Sequence, residues 1–177
     1  MKEIVQEGAA ILRETAKDVP EEMFGTSELS TLIAEMADVL DQEPDGVALA
    51  APQVGVSLRL FVVRKDRTLP RPPEGAPLPL PQIETYINPK IVKSSRKRAL
   101  ADEGCLSVRG VFGTTSRHER VTIRARREDG TSFERGGGGL LAQIFEHEVD
   151  HLNGILFIDH AEHLVEIHHD HTESTDS

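Results

Sequence analysis

The chain has 177 residues, 38% hydrophobic and 28% charged, a globular composition that can furnish one ordinary core. Its formal net charge of -10 argues against a nucleic-acid partner, because phosphate binding needs a basic face; no Trp and a single Tyr leave little for base stacking. The one cysteine, Cys105, excludes an internal disulfide. No apolar run approaches the ~18 residues of a membrane span, and the opening stretch MKEIVQEGAA lacks the layout of a signal peptide. A soluble cytoplasmic protein without membrane contact is the expectation.

Residues 27–42, SELSTLIAEMADVLDQ, space Leu29, Leu32, Ile33, Met36, Val39 and Leu40 by threes and fours. This predicts an amphipathic helix with Thr26 or Ser27 as N-cap and Glu28 in its first turn. LRLFVV (58–63), ETYINPKIV (84–92) and RVTIRAR (120–126) are rich in β-branched and aromatic residues and read as strands. Between Asp66 and Gln82 stand six of the ten prolines, which predicts an extended, solvated connection rather than a ligand for a proline-reading domain. Asp129-Gly130 centres a hairpin turn leading into one more strand. The glycines from Gly136 to Gly139 precede LLAQIFEHEVDHL, whose periodicity predicts a helix ending near Asn153 and Gly154. Close packing of that glycine turn is preferred to an anion seat. One domain is expected over 1–160, followed by a flexible, acidic and His-rich tail at 161–177, in which His163, His168, His169 and His171, like His160 just before it, have no fixed ligand spacing.

Two histidines four apart on a helix stack on one face, so His147 and His151 can share an ion, and Glu148 then stands beside the water that it binds. In this H-E-x-x-H arrangement the glutamate is a general base. A catalytic site also needs a third ligand and an open position. The zinc-protease branch that ends in x-x-G-x-x-H is excluded, because Phe157 stands where its last histidine belongs; Glu162, Glu166, His160 and His163 stay open as third ligands. A better candidate is Cys105 in DEGCLSV (102–108), whose thiolate a nearby divalent ion would stabilise. GVALAAPQVG (46–55) adds small residues that admit a substrate backbone, and Gln53, whose amide can meet a developing oxyanion.

Together these stretches resemble the peptide deformylase family. Its motifs G-x-G-L-A-A-x-Q, E-G-C-L-S and Q-H-E-x-D-H recur here in order as G-V-A-L-A-A-P-Q at 46–53, E-G-C-L-S at 103–107 and E-H-E-V-D-H at 146–151. Y-I-N-P at 86–89 is similar to the family's F-I-N-P, and the resemblance covers residues 5 to 160. It implies an α+β fold of mostly antiparallel sheets around a central metal-ligand helix. One divalent ion per chain would sit on Cys105, His147 and His151, Fe(II) being the common native ion and Zn, Ni or Co the alternatives. Glu148 falls on the general acid/base, and the Gln53 side chain and the Leu106 N–H on the oxyanion donors. The implied reaction hydrolyses the formyl group from the N-terminal formyl-methionine of new polypeptides and releases formate. Gly46, Val47 and Ala48 are expected to border the substrate backbone. Leu140 and Ile144 should line the methionine slot, with Gln143 as a more polar wall. A monomer with a formyl-methionyl peptide as partner and a transient ribosome contact completes the expectation.

Two departures carry consequences. Ala48 stands at the family's second glycine, where a methyl is expected to weaken or alter substrate binding; Glu146 replaces glutamine and is expected to face away from the ion. The rival readings are a thiol hydrolase with Cys105 as nucleophile and His147 as base, and a non-catalytic metal-binding domain.

Overall fold

The computed structural model describes residues 2–167. Its first helix, α1 (Ser27–Asp41), starts where the Thr26 hydroxyl accepts the Leu29 N–H at 3.3 Å, and it buries all six residues of the apolar stripe. Then come strands β1 (Ala48–Ala50), β2 (Leu60–Arg64), β3 (Ile83–Ser94), β4 (Arg98–Cys105), β5 (Val108–His118), β6 (Arg120–Arg126) and β7 (Ser132–Gly138), helix α2 (Leu140–Leu152) and strand β8 (Glu162–Glu166). One sheet runs β1-β2-β3-β6-β7 and a second β4-β5-β8. All these strand pairs are antiparallel, so the architecture is the expected α+β one.

Alternation along the strands buries the larger sheet from both sides. Ala48, Ala50, Phe61, Val63 and Tyr86 face α2, packing with its Ala142, Ile144, Phe145 and Leu152. The intervening Leu49, Leu60 and Val62, together with Ile87, pack instead with α1. Tyr86 anchors the α2 side. It stacks on Phe61 at 4.8 Å between ring centroids and meets the edge of Phe145 at 5.3 Å, while its hydroxyl donates to Glu84 at 2.7 Å. Helix α2 touches β1, β3, β6 and β7 of this sheet and β5 of the other, which carries its ligand face to the place where the two sheets meet.

Two elements differ from expectation. The hairpin β4–β5 occupies a stretch in which the sequence pattern showed no strands. The segment taken as the start of a flexible tail instead forms β8, with Val165 opposite Phe112 and the Ile167 N–H on the Gly110 carbonyl at 2.7 Å. Leu164, Val165 and Ile167 suit a strand, and the edge of β5 supplies unpaired backbone groups for it. His168, His169 and His171 lie outside the described residues. The proline-rich connection is an exposed link between β2 and β3, and among the described residues no helix is long and apolar enough to cross a membrane.

Candidate metal centre

The glycines ahead of α2 set its entry. A Cβ on Gly137 would come within 2.9 Å of the Leu141 side chain, and Gly139, the N-cap, adopts φ +57, a left-handed value that a side chain resists. From that close-packed turn the helix projects His147 and His151 on one face with their Nε2 atoms 3.2 Å apart. Cys105, the last residue of β4, brings its Sγ to 3.3 Å from His151 Nε2. The three ligand atoms lie within 4.8 Å of one another. A thiolate and two neutral imidazoles converging at such range suit a divalent transition ion with a fourth position open. Glu148 is buried beside them, its Oε1 4.0 Å from His147 Nε2 and its Oε2 without a protein partner. A water in the fourth position would find its acceptor there.

A carboxylate that spacing did not single out holds the first histidine. Glu103 lies two residues before Cys105, hence on the same face of β4. Its Oε2 accepts from His147 Nδ1 at 2.9 Å, which fixes the tautomer and aims the Nε2 lone pair at the cluster. Arg117 clasps this carboxylate through Nε at 3.1 Å and Nη2 at 2.6 Å, Thr115 donates to it at 3.0 Å, and Arg117 Nη1 reaches Asp150 at 2.8 Å. Glu146 sits on the far side of this network, accepting the His118 N–H at 2.9 Å, and points away from the ligand atoms. The motif letters alone gave no signal for Arg117; the two-residue offset of Glu103 from the cysteine was the available clue.

Gln53 is buried and oriented from behind. Its Oε1 accepts the Ala50 N–H at 2.9 Å, which turns Nε2 toward Ser107 Oγ at 3.1 Å and Cys105 Sγ at 3.6 Å. The Ser107 N–H also donates to the sulfur, at 3.4 Å, so two donors face it. Leu106 occupies the two-residue link between β4 and β5, its carbonyl held by Gln6 at 2.9 Å. Strand β1 is an edge strand. The Val47 carbonyl accepts the Arg64 N–H at 2.8 Å, so alternation directs Leu49 to β2 and turns the Ala48 and Ala50 backbone groups to the open edge. The Ala50 N–H is taken by Gln53, which leaves Ala48.

The residues expected to meet substrate, and the other candidate ligands, stand in varied surroundings. The Ala48 methyl packs in the core against α2, its φ is not left-handed, and register with Val63 sets the methyl on the core face of β1. Gly46 is small because a Cβ would lie 2.9 Å from Leu40 Cδ1, a packing need against α1. Gln143, expected to wall the methionine slot, donates instead to the Asp102 carbonyl at 2.9 Å and to Glu103 at 3.2 Å. Ile144 is buried in the core, while Leu140 is 46% exposed. None of the downstream candidates joins the cluster: Glu162 and Glu166 are exposed on β8, His163 is exposed, and His160 lies 3.5 Å from Asp150.

A family model for polypeptide deformylase matches residues 1–166. The chain belongs to the polypeptide deformylase family. Among its relatives, the peptide deformylase of Dehalococcoides mccartyi strain CBDB1 is 41% identical over 158 residues, 89% of this chain and 84% of that one. A Legionella pneumophila peptide deformylase structure superposes with TM-score 0.78 at 38% identity, over 92% of this chain and 86% of that one. The Met-Ala-Ser-bound class I type b peptide deformylase of Acinetobacter baumannii gives TM-score 0.78 at 32% identity, over 90% and 98%. Family members are metal-dependent hydrolases, and Cys105, His147 and His151 form a cluster that could hold the ion.

Electrostatics divides the roles within this deformylase site. Burial opposes the charge of Glu103, but the His147 and Arg117 hydrogen bonds outweigh it and hold the carboxyl well below the usual range. Burial pushes the Glu148 carboxyl up to about 7. His147 is raised despite its burial, chiefly by its bonds to Cys105 and Glu103, and His151 is lowered by burial and by the charge of His147. The reading with Cys105 as nucleophile and His147 as its base is not favoured, because the family model and the relatives are deformylases.

Proposed function

We propose that this chain hydrolyses the formyl group from N-terminal formyl-methionine, with Glu148 moving the proton and Gln53 and Leu106 receiving the oxyanion. The observation that carries these roles is the buried, unpartnered Glu148 Oε2 beside three converging ligand atoms. An ion on Cys105, His147 and His151 supplies the positive charge that acidifies water and polarises the formyl carbonyl. Glu148 accepts the proton of the attacking water and returns it to the amine nitrogen as the C–N bond breaks, releasing formate. The charge that builds on the formyl oxygen is met by the Gln53 Nε2, already aimed at the sulfur, and by the Leu106 N–H.

Ala48 offers its N–H and C=O at the open edge of β1, so the substrate backbone binds as an added strand, with Gly46 and Val47 at its border. The Met-Ala-Ser peptide named for the Acinetobacter relative supports a methionyl peptide here. The methionine side chain lies against the start of α2, where Leu140 is accessible and Ile144 forms the floor. Fe(II) is the native ion on the family resemblance, and Zn, Ni or Co suit the same donors. The chain acts in the cytoplasm as a monomer that meets nascent chains in transient contact with the ribosome.

The test is formate release from formyl-Met-Ala-Ser by anaerobically prepared Fe(II) protein, beside the same protein stripped by a chelator. Release that depends on the ion is expected. One tightly bound ion per chain with no release would refute the reading.

A further inference from the structure

Between α1 and β1 the chain makes a tight knot over Glu43 to Gly46, and two arginines from elsewhere in the sequence hold it. The Arg67 Nη1 donates to the carbonyls of Glu43 at 2.6 Å, Gly46 at 2.7 Å and Leu40 at 3.2 Å. The Gly46 N–H closes the turn on the Glu43 carbonyl at 3.0 Å, and Gly46 has no room for a side chain. The outer side of the knot is tied differently. The Glu43 carboxylate takes a two-pronged contact from Arg109, Nη2 to Oε1 at 2.8 Å and Nη1 to Oε2 at 3.3 Å. Arg109 is the second residue of β5, and its neighbour Val108 is the strand partner of Cys105.

We propose that the Glu43–Arg109 ion pair, backed by Arg67, is a tie that sets the spacing between the substrate-pairing edge of β1 and the turn that carries Cys105 and Leu106. One end of the pair is three residues before Gly46 and five before Ala48; the other is four after the ligand cysteine. An ordinary surface pair loses much of its Coulomb gain to the entropy of two free side chains. Here Arg67 has already fixed the Glu43 backbone and the β5 ladder fixes that of Arg109, so less is lost and the contact can transmit position. These are positioning residues. The part of the inference that concerns substrate rests on the formyl-peptide reading; the mechanical part does not.

The test is a charge-swap cycle: Glu43→Gln, Arg109→Gln, and the double variant Glu43→Arg/Arg109→Glu, each with full metal content. Two readouts are taken, amide hydrogen exchange over residues 43–50 and steady-state kinetics on formyl-Met-Ala-Ser. Each single variant should exchange faster across that segment and raise KM about three- to fivefold, the size of a well-oriented exposed pair, with kcat kept. The swap should restore both. Unchanged exchange in the single variants, or a swap that recovers nothing, would overturn the tie. Altered exchange with unaltered KM would overturn its link to substrate. A wild-type protein that releases no formate would refute the function instead, and the exchange readout would still decide the tie.

Discussion

Replacing Glu103 by glutamine keeps the shape of the side chain and removes its charge. The carboxylate is 5% exposed and accepts from His147, Arg117, Thr115 and Gln143. A glutamine has one acceptor oxygen and turns an NH2 against either the guanidinium or the imidazole. Breaking a buried pair typically costs about 3–5 kcal/mol; Arg117 keeps its 2.8 Å contact to Asp150, which places the expected loss near the lower figure. His147 loses its acceptor, so metal affinity should fall by about 10- to 100-fold. Competition against a chelator of known affinity measures the second effect, and urea unfolding of the metal-free protein measures the first. The sign with pH follows from the depressed carboxyl. Its contribution is present above the ordinary carboxylate range and is lost as the pH falls through the folded value, so wild type and variant should converge in strong acid. A Glu103→Gln protein that binds metal within twofold of wild type and unfolds at the same urea concentration would refute this account of the site.

Glu148→Ala should lower kcat by about 10²-fold or more, the usual range for a lost general acid/base, while metal analysis still finds one ion per chain; loss of the ion or full activity would sink its assignment. Ala48→Gly should leave KM for formyl-Met-Ala-Ser unchanged, because the methyl faces the core, and should destabilise by about 1 kcal/mol through the lost methyl and the looser strand; a lower KM would restore the crowding idea. Asp66 accepts two bonds from Arg64, at 2.9 and 2.8 Å, and chiefly for that reason its carboxyl falls from 3.8 to about 2. Its stabilisation is therefore complete above 3.8 and lost as the pH drops toward about 2. Asp66→Asn should be less stable at neutral pH and show a shallower decline across that window in pH-dependent urea unfolding. Phe145→Ala, which removes the ring packed on Tyr86, should cost about 3–5 kcal/mol by the same measurement.

Helix α1 and strand β6 were legible because each buries one apolar face, and period 3.6 or 2 then shows in the letters. The β4–β5 hairpin was not, for a physical reason. Its buried positions include Glu103, Thr115 and Arg117, which satisfy one another by hydrogen bonds, so a polar network replaces the apolar alternation that identifies a strand. The Cys105, His147 and His151 cluster could be read because helical spacing fixes His147 against His151 and the motif order recruits Cys105. Arg117 lies 14 residues from Glu103 in the chain, and only the fold of the hairpin brings them together. Ala48 shows a similar limit: comparison with a glycine motif says that a methyl has been added, but pairing with Val63 decides which face receives it.

The site contains two buried glutamates that the fold treats in opposite ways. Glu103 is surrounded by donors and held as an anion, so it can steer His147 but has no vacancy for a proton in the neutral range. Glu148 is starved of donors, one oxygen having no partner, and burial lifts its carboxyl to about 7, where it can both take and give a proton. Environments that drive two like groups apart mark the division of labour between them. The division also explains why Arg117 belongs under β4 rather than beside α2's Glu148. A guanidinium clasping Glu148 as it clasps Glu103 would hold that carboxylate ionised and so, on the proposed mechanism, remove its capacity to return the proton to the leaving amine, leaving a site that could bind an ion but not complete the reaction.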